Sequence, residues 1–125
     1  MTRRQLFALI VSATFFATST NARADQFIAL STGKVRGDRA EVGWSQLQVG
    51  FRVAFPVSAS GRKFMEHQYN IIDAVERVLA RTKFDPDGGP DERKQLERIV
   101  AAAVVRTAPR GTVSRVDEFW VEATR

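Results

Sequence analysis

Residues 46–57 carry the pattern that most constrains the fold. Their sequence is QLQVGFRVAFPV, in which every second residue is a large apolar one. Because successive side chains of a β-strand point to opposite faces, this alternation predicts a strand with one fully apolar face. Such a strand would be longer than most, so we expect a bend near Gly50 or an end at Pro56. Other elements must cover the apolar face.

Two later segments are suited to cover that face. Residues 64–81 and 91–107 both place apolar side chains at helical spacing, and a loop rich in Pro and Gly separates them. Residues 25–44 are typical of a short strand and turns, with 40–44 leading into the long strand, and residues 112–124 alternate as a closing strand. This order predicts an α+β fold, in which two amphipathic helices pack on one face of an antiparallel sheet.

The first 24 residues have the composition of a secretory signal peptide. Arg3 and Arg4 precede the apolar residues 6–17, and Ala22-Arg23-Ala24 is a cleavage site of the Ala-x-Ala type. The apolar run is shorter than the roughly 20 residues of a membrane span. We therefore expect cleavage after Ala24 and a single periplasmic domain over residues 25–125. An uncleaved anchor in the inner membrane is the alternative, and the paired arginines leave a twin-arginine export route open.

Export also changes the charge of the protein. The sequence carries a net charge of +5, and loss of Arg3, Arg4 and Arg23 reduces it to +2. This small balance argues against a nucleic-acid partner, since such proteins present a concentrated basic patch. The absence of cysteine excludes disulfides, thiol nucleophiles and thiolate metal sites.

No catalytic, cofactor or metal motif is recognisable. His67 is the only histidine and has no companion ligands, whereas a metal site needs three or four. Neither a phosphate-binding glycine loop nor a nucleophile elbow is present. Asp117 and Glu118 are adjacent on a predicted strand, so we expect them to face opposite ways and to be unable to act together as acid and base. The sequence predicts a protein that is not an enzyme and needs no cofactor.

A binding role draws attention to four residues. Arg and aromatic side chains dominate the energetic centres of protein interfaces, which selects Arg52, Tyr69, Trp44 and Trp120. For the two tryptophans, packing in the core or against the sheet is the favoured explanation. Arg52 falls on the polar face of the long strand, where it would at least solubilise that face.

Three segments resemble the C-terminal periplasmic domain of the FliL family of flagellar basal-body proteins. They are the strand LQVGFRVAFPV, the helical run from Ile71-Ile72-Asp73 to Thr82-Lys83-Phe84, and the closing Asp117-Glu118-Phe119-Trp120-Val121-Glu122. The likeness covers residues 47–124. It implies a stomatin-type α+β domain that assembles into rings around flagellar stator units and supports torque generation. Family members keep an N-terminal membrane anchor, from which this chain departs through its short apolar run and Ala-x-Ala site.

The leading functional hypothesis is therefore a non-enzymatic exported domain that binds proteins of the flagellar motor, with stator proteins and further copies of itself as expected partners. Membrane attachment is expected only if the N-terminal segment is uncleaved. A periplasmic small-ligand or enzyme-accessory domain is the alternative, and it predicts a concave site where Gln68 and Arg52 converge.

Overall fold

A computed structural model describes residues 25–57 and 59–125, so the predicted signal peptide lies outside the described residues. The elements in chain order are β1 (Asp25–Ser31), β2 (Val35–Arg36), α1 (Arg39–Val42), β3 (Gln46–Pro56), α2 (Ala59–Glu66), α3 (Gln68–Leu79), α4 (Gly89–Thr107) and β4 (Arg115–Thr124). Among these residues, no helix is long and apolar enough to cross a bilayer.

The long strand predicted from the alternating pattern is β3, the central strand of an antiparallel sheet. It pairs with β4 from Gln46 to Ala54, with β1 over its second half and with β2 at its start. Residues of β3 that pair with β1 or with β2 also pair with β4. Since a strand has only two edges, β1 and β2 must both lie on the edge of β3 that is opposite to β4. The strand ends at Pro56, as expected, and its register with β4 shifts between Gly50 and Arg52.

One face of the sheet forms the core of the domain, and this confirms the predicted α+β class. All five large apolar side chains of β3 that alternate between positions 47 and 55 are buried. They are covered by apolar residues of the helices, among which Phe64, Ile71, Val75, Leu79, Leu96, Val100 and Val104 are fully or almost fully buried. Phe84, in the loop between α3 and α4, also packs into this core.

The number of helices differs from the prediction. The run expected to form one helix over residues 64–81 is two helices, α2 and α3, which are separated at His67. The ring of Phe64 stacks on Phe55 of β3, with 5.1 Å between ring centroids. The break allows α2 to pack at the end of β3 through Phe64, while α3 places its own apolar residues along the sheet. Helical periodicity continues across His67, so it does not reveal this change of direction.

Residues 40–44 lead into β3, as predicted, but they do so through a helical turn and not through extended chain. The helix α1 forms this single turn, because the Asp38 carboxylate accepts a hydrogen bond from the Ala40 N–H at 3.0 Å. Gly43 ends the turn with φ at +91°, a conformation that favours glycine. The turn directs Trp44 into the core, where its indole N–H donates to the Thr82 carbonyl at 2.9 Å.

The contact between α2 and β3 leads to a test of the core. We expect Phe64→Ala to lower the free energy of unfolding by about 3–5 kcal/mol, because it removes a fully buried aromatic ring. Tyr69→Ala, which truncates an aromatic side chain that is 77% exposed, should change it by less than about 0.5 kcal/mol. Urea unfolding of both variants measures the two values. Similar losses in the two variants would contradict the packing described here.

Candidate protein-binding face

The helices cover one side of the sheet and leave the other side uncovered within the described residues. On β3 this open face carries Gln46, Gln48, Gly50, Arg52 and Ala54. Residues that oppose each other in an antiparallel ladder share a face. The register therefore adds these residues of β1 and β4 to the open face: Phe27, Ala29, Ser31, Arg115, Asp117, Trp120, Glu122 and Thr124. The open face is therefore the surface on which Arg52 and Trp120, two of the predicted contact residues, can meet a partner.

Arg52 is held in place at the middle of this face by carboxylates of β4. Its Nε and Nη2 atoms donate to the two oxygens of Asp117 at 2.9 and 3.1 Å, and Nη2 also lies 3.2 Å from a Glu118 oxygen. Arg115 donates to Asp117 as well, at 2.9 Å. A two-pronged pair of this kind fixes the plane of the guanidinium group.

The ion pair also shifts the titration of its members. The hydrogen bonds from Arg52 lower the pKa of Asp117 from 3.8 to about 2; partial burial opposes this shift and Arg115 reinforces it. The hydrogen bond to Asp117 raises the pKa of Arg52 further above its usual range. Asp117 therefore stays ionised at neutral pH and is unsuited to general acid or base catalysis, which requires a pKa near the working pH.

Phe27 of β1 supports Arg52 from the other side. The guanidinium carbon of Arg52 lies 4.3 Å from the centre of the Phe27 ring, and that of Arg115 lies 5.4 Å from it. Both distances are within the range of cation–π attraction. The ring is 48% exposed, so it presents an apolar edge to solvent beside a fixed cation.

A β-bulge brings both acidic residues to Arg52. Glu118 and Phe119 together oppose Phe51 of β3, and Glu118 has a positive φ of 51°. The extra residue breaks the strict alternation of the strand. Asp117 and Glu118 therefore both reach Arg52, and the expectation that they face opposite ways was wrong. A regular strand pattern gives no sign of such a bulge, which ordinarily has Gly at the position with positive φ.

Trp120 completes the face next to Gly50. The two residues oppose each other across β3 and β4, and a Cβ atom at position 50 would collide with the indole ring. Glycine is thus required for the ring to lie against β3, where Trp120 remains 43% exposed. We call Phe27, Arg52, Asp117, Glu118 and Trp120 the open-face cluster.

The structure separates the four residues predicted for an interface. Arg52 and Trp120 belong to the open-face cluster. Trp44 is fully buried, so the hypothesis that it contacts a partner was wrong and the alternative of core packing is confirmed. Tyr69 is exposed but lies on α3, in the helical layer on the other side of the sheet.

Sequence reasoning missed three members of this cluster, Phe27, Asp117 and Glu118. Phe27 belongs to the apolar run 27–30, and applying the strand period to that run would have separated Phe27 and Ala29 from Ile28 and Leu30. For the two carboxylates, the sequence pattern indicates adjacent charged residues on a strand and gives no sign that they share a partner.

Concave sites also lie outside the open-face cluster. A polar cleft of about 510 Å³ lies beside α1 and is lined by charged residues that include Arg39, Glu92 and Arg125. A more apolar groove of about 500 Å³ lies between β4 and the start of α4. Gln68 and Arg52 lie on opposite sides of the sheet, so the convergence required by the small-ligand alternative is not found. No group of three His, Asp or Glu side chains suited to a metal ion occurs among residues 25–57 and 59–125.

Comparison with protein-family models, with curated proteins and with solved structures finds no match to this chain.

The lowered pKa of Asp117 predicts a specific dependence of stability on pH. A carboxylate with a depressed pKa in the folded state contributes stability above its unfolded value of 3.8, and this contribution is lost as the pH falls towards about 2. The free energy of unfolding of wild type should therefore exceed that of Asp117→Asn at pH 6, and the difference should shrink between about pH 4 and pH 2. Denaturant unfolding across this range measures it. A difference independent of pH would contradict the ion pair.

The backbone of the bulge gives a second test. A non-glycine residue with positive φ costs about 1 kcal/mol or more, whereas the exposed pair of Glu118 with Arg52 contributes at most about 1 kcal/mol. Glu118→Gly and Glu118→Ala both remove the carboxylate, but only Gly relieves the backbone. We expect the Gly variant to be more stable than the Ala variant by about 1 kcal/mol in thermal or urea unfolding. Equal stabilities would show that position 118 is not strained.

Proposed function

We propose that this chain is a non-enzymatic, exported protein-binding domain of the FliL type, which acts at the flagellar basal body and supports the stator units. The observation that carries the binding role is the open-face cluster. It combines one arginine and two exposed aromatic rings, the residue types that contribute most to protein interfaces. The flagellar context rests on the resemblance of residues 47–124 to the FliL family.

The geometry of the cluster supports binding for a second reason. Binding normally costs conformational entropy, because flexible side chains such as arginine become fixed in the complex. Here Asp117, Glu118 and Phe27 already hold Arg52, and Gly50 provides the surface on which Trp120 rests. A partner would therefore meet a face whose central side chains are largely preorganised. The ordinary explanation, that one face of an antiparallel sheet is simply solvated, does not require this arrangement.

The role in motility is tested first at the level of the cell. Deletion of the gene should reduce swimming and motor torque, and stator proteins should co-purify with the tagged wild-type protein. Unchanged motility and torque in the deletion strain would refute the flagellar function, although the protein could still bind another partner.

The face itself is tested by two single substitutions. We expect Trp120→Ala and Arg52→Gln each to weaken stator binding about tenfold or more, because truncation of an interface centre typically costs more than 1 kcal/mol. Arg98→Gln on the exposed side of α4 removes the same charge as Arg52→Gln and should bind normally. Pull-down titrations compare the variants after circular dichroism has shown that each is folded. Folded Trp120 and Arg52 variants that bind as wild type would exclude this face as the interface.

A further inference from the structure

The basic character of the domain is concentrated at one end of the molecule. Three other segments meet the end of β3. Asp25 of β1 pairs with Pro56, the Ser114 N–H just before β4 donates to the Ala54 carbonyl at 2.8 Å, and Phe64 of α2 stacks on Phe55. The chain from the C-terminus of α4 to the start of β4 therefore lies beside the start of β1 and of α2. We call this region the basic end, and its cations are Arg62, Lys63, Arg106, Arg110 and Arg115.

The net charge of residues 25–125 arises entirely at the basic end. Its five cations face only three carboxylates, Asp25, Glu66 and Asp117, while cations and carboxylates are equal in number over the remainder of residues 25–125. The ion pairs found within the described residues involve Arg115 but none of the other four cations. Arg62, Lys63, Arg106 and Arg110 are all exposed and so can meet an anionic partner.

Exposed apolar side chains accompany these cations. Five large hydrophobic residues are exposed in the described part of the chain, and only Trp120 lies away from this end. The other four are Phe27, which opposes Ala54; Val57, which follows β3; Tyr69, in the first turn of α3; and Val105, in the last turn of α4. Aromatic and aliphatic groups among lysine and arginine are typical of surfaces that rest at the interface of a lipid bilayer.

We infer that the basic end docks on a bilayer surface that carries anionic phospholipids. Charge complementarity favours phosphate headgroups, and the exposed Val57, Tyr69 and Val105 can enter the interfacial region between them. The apolar residues 6–17 reach Asp25 through only seven intervening residues, which span at most about 25 Å. In a form that retains the N-terminal segment, the chain would enter the domain at the end that carries these four cations. This inference does not depend on the proposed flagellar function.

The absence of cysteine allows a direct test with single labels. The full protein is purified from cells as they export it, and intact mass establishes its first residue. Asn70→Cys reports on the basic end without altering any of its cations or exposed apolar residues, and Glu41→Cys on α1 reports on the opposite end. With an environment-sensitive dye, phosphatidylcholine vesicles that contain phosphatidylglycerol should shift the emission at position 70 to shorter wavelength and leave position 41 unchanged. A flat response at position 70 overturns the inference.

Matched charge variants test the electrostatic part. Arg62, Lys63, Arg106 and Arg110 are replaced together by Gln in one variant, and Lys34, Arg36, Arg39 and Lys83 at the other end are replaced in the control. Removal of the basic-end cations should weaken the phosphatidylglycerol-dependent binding by roughly fivefold per cation at low salt, whereas the control should retain most of it. Added salt should weaken wild-type binding in the same direction. The thermal transition of each variant verifies that it is folded. Equal losses from both variants would contradict the inference, because they would show general electrostatic attraction without a docking surface.

Discussion

The fold depends on the burial of one face of β3, a strand that is also hydrogen-bonded along both edges. Burial of each of its five large apolar side chains contributes about 1.5–3 kcal/mol, so together they contribute roughly 10 kcal/mol. Both the helical layer and the position of the open face follow from this requirement, because α2, α3 and α4 must all lie on the same side of the sheet.

On the opposite face of the same strand, the prediction from the sequence differs most from the structure. Alternation correctly placed Arg52 on the polar face, and it placed Trp120 on the face opposite Phe119. It could not place Glu118, because a bulge depends on the local backbone of β4 and leaves the surrounding pattern intact. The role of Phe27 depends on its register with β3, which pairs residues distant in sequence. The centre of the open face could therefore be predicted, but its supports could not.

The helices show the same division between local and distant information. The apolar positions of α3 and α4 were predictable from their spacing. The break at His67 and the single turn of α1 were not. The first accompanies the stacking of Phe64 on a strand residue, and the second results from a capping hydrogen bond within a segment that is too short to show periodicity. Composition alone also predicted only the net charge. The location of that charge follows from the structure, in which four chain segments meet at one end.

The two tryptophans occupy environments so different that they form a natural pair of optical reporters. Trp44 is enclosed by the core and hydrogen-bonded to the Thr82 carbonyl, so its emission follows the integrity of the folded domain. Trp120 lies on Gly50 at the surface of the open face, where its emission responds to whatever covers it. The unmodified chain therefore carries separate intrinsic signals for unfolding and for contact.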